Sequence, residues 1–182
     1  MSEALALIEL SSIARGYQVA DAVVKKAPVM LRDCRPVSPG KFLVLFDGDV
    51  ASVDEAFRRG VEVAGDRLVD KLFLPQAHPL LGPAVRGESN AGAGVESYAV
   101  VETLSVAAAL LAADAAAKAA AVRLVEMQLG RGIGGKAFFA LSGPLADIEA
   151  AVDAAISITD RALLLGTEII PAPHEDFVAK LP

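Results

Sequence analysis

Apolar and polar positions along the chain form one pattern that occurs twice. The runs at 4–10 and 98–103 are short, apolar and strand-like. Each is followed by a stretch suited to a helix, 12–27 and 105–120, opened by a serine that can cap it, Ser12 and Ser105. Second strands are predicted at 29–37 and 122–129, and third strands at 41–46 and 136–141, with a glycine- or proline-bearing turn between them. Apolar residues at helical spacing mark second helices at 50–64 and 145–159, and 68–74 and 163–170 close each half as fourth strands. The order β-α-β-β-α-β is the split βαβ, ferredoxin-like arrangement, which places both helices on one face of an antiparallel sheet. The fold class expected is α+β, with two such domains in tandem.

The halves also match residue by residue at an offset of about 93. Ile8-Glu9-Leu10-Ser11-Ser12 aligns with Val101-Glu102-Thr103-Leu104-Ser105, and Ala20-Asp21-Ala22 with Ala113-Asp114-Ala115. Lys25 falls on Lys118, Gly40-Lys41 on Gly135-Lys136, Gly48 on Gly143, and Pro75 and His78 on Pro171 and His174. Alanine inflates such matches, so the Glu, Asp, Lys, Gly and Pro pairs carry the weight. They keep order and spacing. A run of glycine and small polar residues at 82–94 reads as a connection between the halves. The expected division is a first domain at 1–84, a linker at 85–94 and a second domain at 95–182.

Composition sharpens this picture. The 182 residues are 54% hydrophobic but only 5% aromatic, and mean hydropathy is +0.48. Such a chain has extensive buried surface or hides part of its surface in an oligomer. A net charge of -6 without a run of Lys or Arg disfavours nucleic acid. The alanine-rich stretch 104–125 is interrupted by Asp114, Lys118 and Arg123, which argues against a membrane span and a lipid partner. The single cysteine, Cys34, excludes an intrachain disulfide and suits a reducing cytoplasm; the first ten residues carry no secretion signal.

Most motifs that look chemical fail on context. Gly130-Arg131-Gly132-Ile133-Gly134-Gly135-Lys136 satisfies G-x-x-x-x-G-K, but a strand is predicted after it where a phosphate loop needs a helix, and Ala137 replaces the Ser or Thr that would bind Mg²⁺. His78 and His174 are repeat equivalents beside prolines, better suited to packing or capping than to a catalytic pair or a metal. Glu9 and Glu102 are assigned to edge strands, with a role in the fold rather than in acid–base chemistry. No catalytic residue, metal ligand or cofactor is expected.

The repeated set Ala20-Asp21-Ala22-Val23-Val24-Lys25-Lys26-Ala27, Gly40-Lys41, Gly48-Asp49-Val50 and the Pro-x-x-His endings resembles the bacterial microcompartment shell domain. The second half repeats it at 113–120, at Gly134-Gly135-Lys136, at Gly143 and at 171–174. The resemblance is closest to the tandem, trimer-forming class, of the type found in propanediol-utilisation compartments. It implies a homotrimer of pseudo-hexameric shape, tiling a cytoplasmic protein shell with other shell proteins and passing small metabolites through a central pore. The pore would be lined by Val37, Ser38 and Pro39 from one half and Gly132, Ile133 and Gly134 from the other. Lys25 and Lys118 match the family's tile-edge lysine. The edge arginine of the usual Pro-Arg-Pro-His ending is absent, since Gln76 and Ala172 stand there.

One departure bears on the alternatives. In the electron-transfer member of this class a cysteine precedes Pro-Gly-Lys, and three copies hold an iron–sulfur cluster at the pore. This chain has Ser38-Pro39-Gly40-Lys41, with Cys34 four residues earlier on a predicted strand. A cluster-holding shell protein and a tandem-domain small-molecule sensor are the competing functions.

Overall fold

The computed structural model describes residues 4–90 and 94–182. The ends of two sequence assignments, 1–3 of the first domain and 91–93 of the linker, lie outside these residues.

The chain forms β1 (Ala4–Leu10), α1 (Ile13–Lys26), β2 (Met30–Val37), β3 (Lys41–Gly48), α2 (Val50–Ala64), a short 3-10 turn (Gly65–Arg67), β4 (Leu68–Leu74) and α3 (Leu81–Val85). The pattern then recurs as β5 (Ser97–Thr103), α4 (Val106–Ala119), β6 (Arg123–Leu129), β7 (Ala137–Gly143), α5 (Leu145–Ile158), β8 (Leu164–Pro171) and α6 (Glu175–Val178). Each half is a four-stranded antiparallel sheet, ordered β2-β3-β1-β4 and β6-β7-β5-β8. The α+β, split βαβ expectation is met in both halves. Glu9 and Glu102 lie on the central strands β1 and β5, not on edges, because each pairs with a strand on both sides. Even the irregularities repeat: register shifts fall between Glu9 and Leu10 and between Glu102 and Thr103.

The helices start where the sequence places caps. The Ser12 hydroxyl accepts from the Arg15 N–H and the Ser105 hydroxyl from the Ala108 N–H, each meeting one of the unpaired donors of a first turn. In the first sheet, alternate residues Ala4, Ala6, Ile8 and Leu10 of β1 form a core with Val19, Val23, Phe42, Val44, Phe46, Val53 and Ala56. Two glycines let the helices come this close. A Cβ on Gly16 would stand 2.2 Å from Phe42 Cγ, and one on Gly60 would stand 2.4 Å from Ile8 Cδ1.

By compactness the chain divides into a first unit, Met1–Ala77 with Gly130–Gly135, and a second, His78–Leu129 with Lys136–Pro182. Residues 78–87 thus cluster with the second unit, where α3 packs on β6 and α4. Burial of Leu81 and Ala84 accounts for this placement. Among the described residues no helix is long and apolar enough to cross a membrane.

Candidate pore loops and helix-edge surfaces

Five of the six residues proposed from sequence as pore-lining lie on two loops that cluster in the first unit, and the sixth, Val37, is the buried last residue of β2. The β2–β3 turn closes with the Gly40 N–H donating to the Val37 carbonyl at 2.9 Å, leaving Ser38, Pro39 and Gly40 exposed. The β6–β7 loop takes positive φ at Gly130, Gly132, Gly134 and Gly135, a conformation that costs glycine little. At Gly135 a side chain is excluded twice over: its φ is +77°, and a Cβ would lie 2.7 Å from the Ser38 carbonyl oxygen. Gly130 faces Val37, with a Cβ position 3.3 Å from that side chain. Gly130 and Gly135 therefore serve close loop packing, whereas Gly132 and Gly134 answer only to the positive φ. No helix follows; β7 begins at Ala137, so the phosphate-loop pattern lacks its strand–loop–helix context.

Lys25 and Lys118 occupy the last turns of α1 and α4, where a cation suits the helix dipole. Each pairs with an aspartate one turn earlier, Lys25 with Asp21 at 2.7 Å and Lys118 with Asp114. The surroundings of the two pairs differ. The Asp21 side chain is 59% exposed, that of Asp114 only 6%. Asp114 also accepts the backbone N–H of His78 through Oδ1 at 2.7 Å. In the sequence these aspartates are marked by the repeated Ala-Asp-Ala that precedes each matched lysine.

A shallow groove of about 330 Å³ runs beside α1, lined by residues including Asp21, Lys25, Lys26 and Arg59. Glu9 and Glu102 meet equivalent lysines, Glu9 with Lys41 at 3.3 Å and Glu102 with Lys136 at 3.0 Å, linking neighbouring strands. His174 caps α6, its Nδ1 accepting the Asp176 N–H at 3.2 Å, while His78 Nδ1 accepts the Leu80 N–H at 3.3 Å in the turn that precedes α3.

Cys34 lies on β2 opposite Val44 and packs against the first core. Burial, and then the Asp33 carboxylate, push its thiol pKa up. Metals bind the thiolate, so this environment disfavours ligation. Ser38 offers only a hydroxyl. The residues present do not fit an iron–sulfur cluster, and among the described residues no three His, Cys, Asp or Glu group as a metal site.

Two split βαβ modules in one chain, each a four-stranded antiparallel sheet with two principal helices, define a tandem α+β protein. The BMC domain model matches twice, at residues 4–77 and 97–173. The chain therefore belongs to the BMC domain family and is a shell protein of a bacterial microcompartment, with a structural role. It is 42% identical over 176 residues to the bacterial microcompartment shell protein PduT of Citrobacter freundii, covering 96% of this chain and 95% of that one. A solved microcompartments protein from Desulfitobacterium hafniense DCB superposes with a TM-score of 0.88 at 38% identity, covering 97% of this chain and 98% of that one. A fused permuted hexameric shell protein from the RMM microcompartment shares the fold, with a TM-score of 0.62 at 23% identity over 85% of this chain and 80% of that one.

Proposed function

We propose that three copies close into a pseudo-hexameric ring that tiles the shell alongside other shell proteins, does no chemistry, and carries a central pore. Ser38 and Pro39 line it together with Gly132, Ile133 and Gly134; Val37, assigned to the lining from sequence, is buried beneath them against Gly130. The observation that carries this reading is the clustering of both loops in one compact unit, with exposed small residues at Ser38, Gly132 and Gly134. Successive positive-φ glycines leave backbone N–H groups free of side-chain cover, a surface suited to polar or anionic metabolites. Threefold closure of similar surfaces accounts for the apolar excess.

Native mass spectrometry of the purified protein tests the ring, a trimer being expected and a stable monomer or dimer contradicting it. Electron microscopy at moderate concentration tests tiling through the appearance of ordered sheets. Metabolite flux through shells carrying Ser38→Phe tests the pore; unchanged flux would reject the lining assigned here. Cluster-based electron transfer is disfavoured by Ser38 and by the protonated Cys34 thiol. Near-stoichiometric iron and acid-labile sulfide after anaerobic purification, lost in Cys34→Ala, would restore it.

A further inference from the structure

The segment after the first sheet has a repeat counterpart whose matching surface is bare. Pro75 and His78 recur as Pro171 and His174. Both histidines build the same turn, with Nδ1 accepting the N–H two residues on, and a short helix follows each, α3 and α6. In the second unit, residues 78–87 strap over α4 and β6: the His78 N–H donates to Asp114, and α3 packs on both elements. Equivalent positions of the first unit are open. Asp21, the counterpart of Asp114, has a largely exposed side chain. β2, the counterpart of β6, is only partly buried, and its Met30 is 57% exposed. Four of 14 residues of α1 are buried against ten of 14 in α4.

We propose that the turn at residues 171–176 of one copy, whose following Phe177 and Leu181 rest on that copy's own Tyr98 cluster, docks on α1 and β2 of a second copy, with the His174 N–H donating to Asp21. The proposal rests on the ring reading above and names its contact. The cap turn is already formed, so docking orders few groups. A carboxylate acceptor makes the N–H bond a strong one. The contact is heterologous, head to tail, and such contacts close rings when the rotation permits.

The test is a chain with Asp21→Cys and His174→Cys in a Cys34→Ser background. The N–H to carboxylate contact brings the two Cα atoms within the roughly 4.4–6.8 Å that a disulfide spans. Non-reducing gels should show covalent trimers, whereas either single-cysteine chain can link no more than two copies. A second pair guards against misfolding: His174→Pro deletes the N–H, and His174→Ala removes the imidazole but keeps it. The trimer of His174→Pro should dissociate at a concentration about tenfold or more above that of His174→Ala. A wild-type trimer with no covalent trimer, or with equal dissociation of the two His174 variants, overturns the docking and leaves the ring standing. A monomeric wild type overturns both.

Discussion

The two repeats pack helix against sheet with different choices of side chain. In the first, Gly16 of α1 sits over Phe42 of β3, and Gly60 of α2 sits over Ile8 and Val23. At the matching positions of the second stand Ala109 over a strand bearing Ala137, and Ala155 with Val101 and Ala116, all fully buried. One repeat puts bulk on the sheet and none on the helix; the other shares it. In the first repeat the larger neighbouring side chain takes the space that a helix methyl would occupy, as close-packed interiors require.

Breaking that compensation should give the largest effect. Phe42→Ala is expected to lower unfolding free energy by about 3–5 kcal/mol, leaving a hole beneath a glycine that cannot fill it. Gly16→Ala alone should cost about 1–3 kcal/mol through overpacking, despite alanine's better helix propensity. The double variant recreates the second repeat's pairing, and chemical denaturation should find it well above the sum of the two losses. Strict additivity would mean that the two residues do not share one packing site.

The next contrast is between the two aspartates. In the dissociated chain, Asp114→Ala should cost about 1–3 kcal/mol, because the half-buried His78 N–H loses its acceptor. Asp21→Ala should shift the same measurement by less than about 0.5 kcal/mol, as exposed i,i+4 pairs contribute little. Equal losses would erase the distinction between a covered and an open helix.

The lysines should act on assembly and hardly on folding. Lys25→Ala with Lys118→Ala is expected to leave the melting temperature nearly unchanged and to abolish ordered sheets by electron microscopy. Sheets like those of wild type would reject a tile-edge role. The smallest effect is expected at Cys34, which has no cysteine partner in the second repeat. Its raised thiol pKa keeps the reactive thiolate scarce, so alkylation at mildly alkaline pH should be slower than for a free cysteine and should accelerate as pH rises. Alkylation as fast as that of an unfolded control would contradict the partly buried strand position.

Much of this molecule is local and was legible as such. Strand alternation, helical spacing, the caps at Ser12 and Ser105, and the paired Glu, Asp, Lys and Gly positions specify two copies of one α+β module, because each depends on residues a few positions apart. Long-range packing decided the rest. Position in the chain did not reveal that β1 and β5 are central strands, since an apolar run reads alike when its strand has one neighbour or two. Nor did it reveal that residues 78–87 cluster with the second unit and the loop 130–135 with the first. The alanine run of α4 and the mixed face of α1 come from matched segments with matching capping and charge signals. Which of them is covered depends on the burial of Leu81 and on one N–H to carboxylate bond between residues 36 apart in sequence, and such contacts leave no periodic trace in the chain.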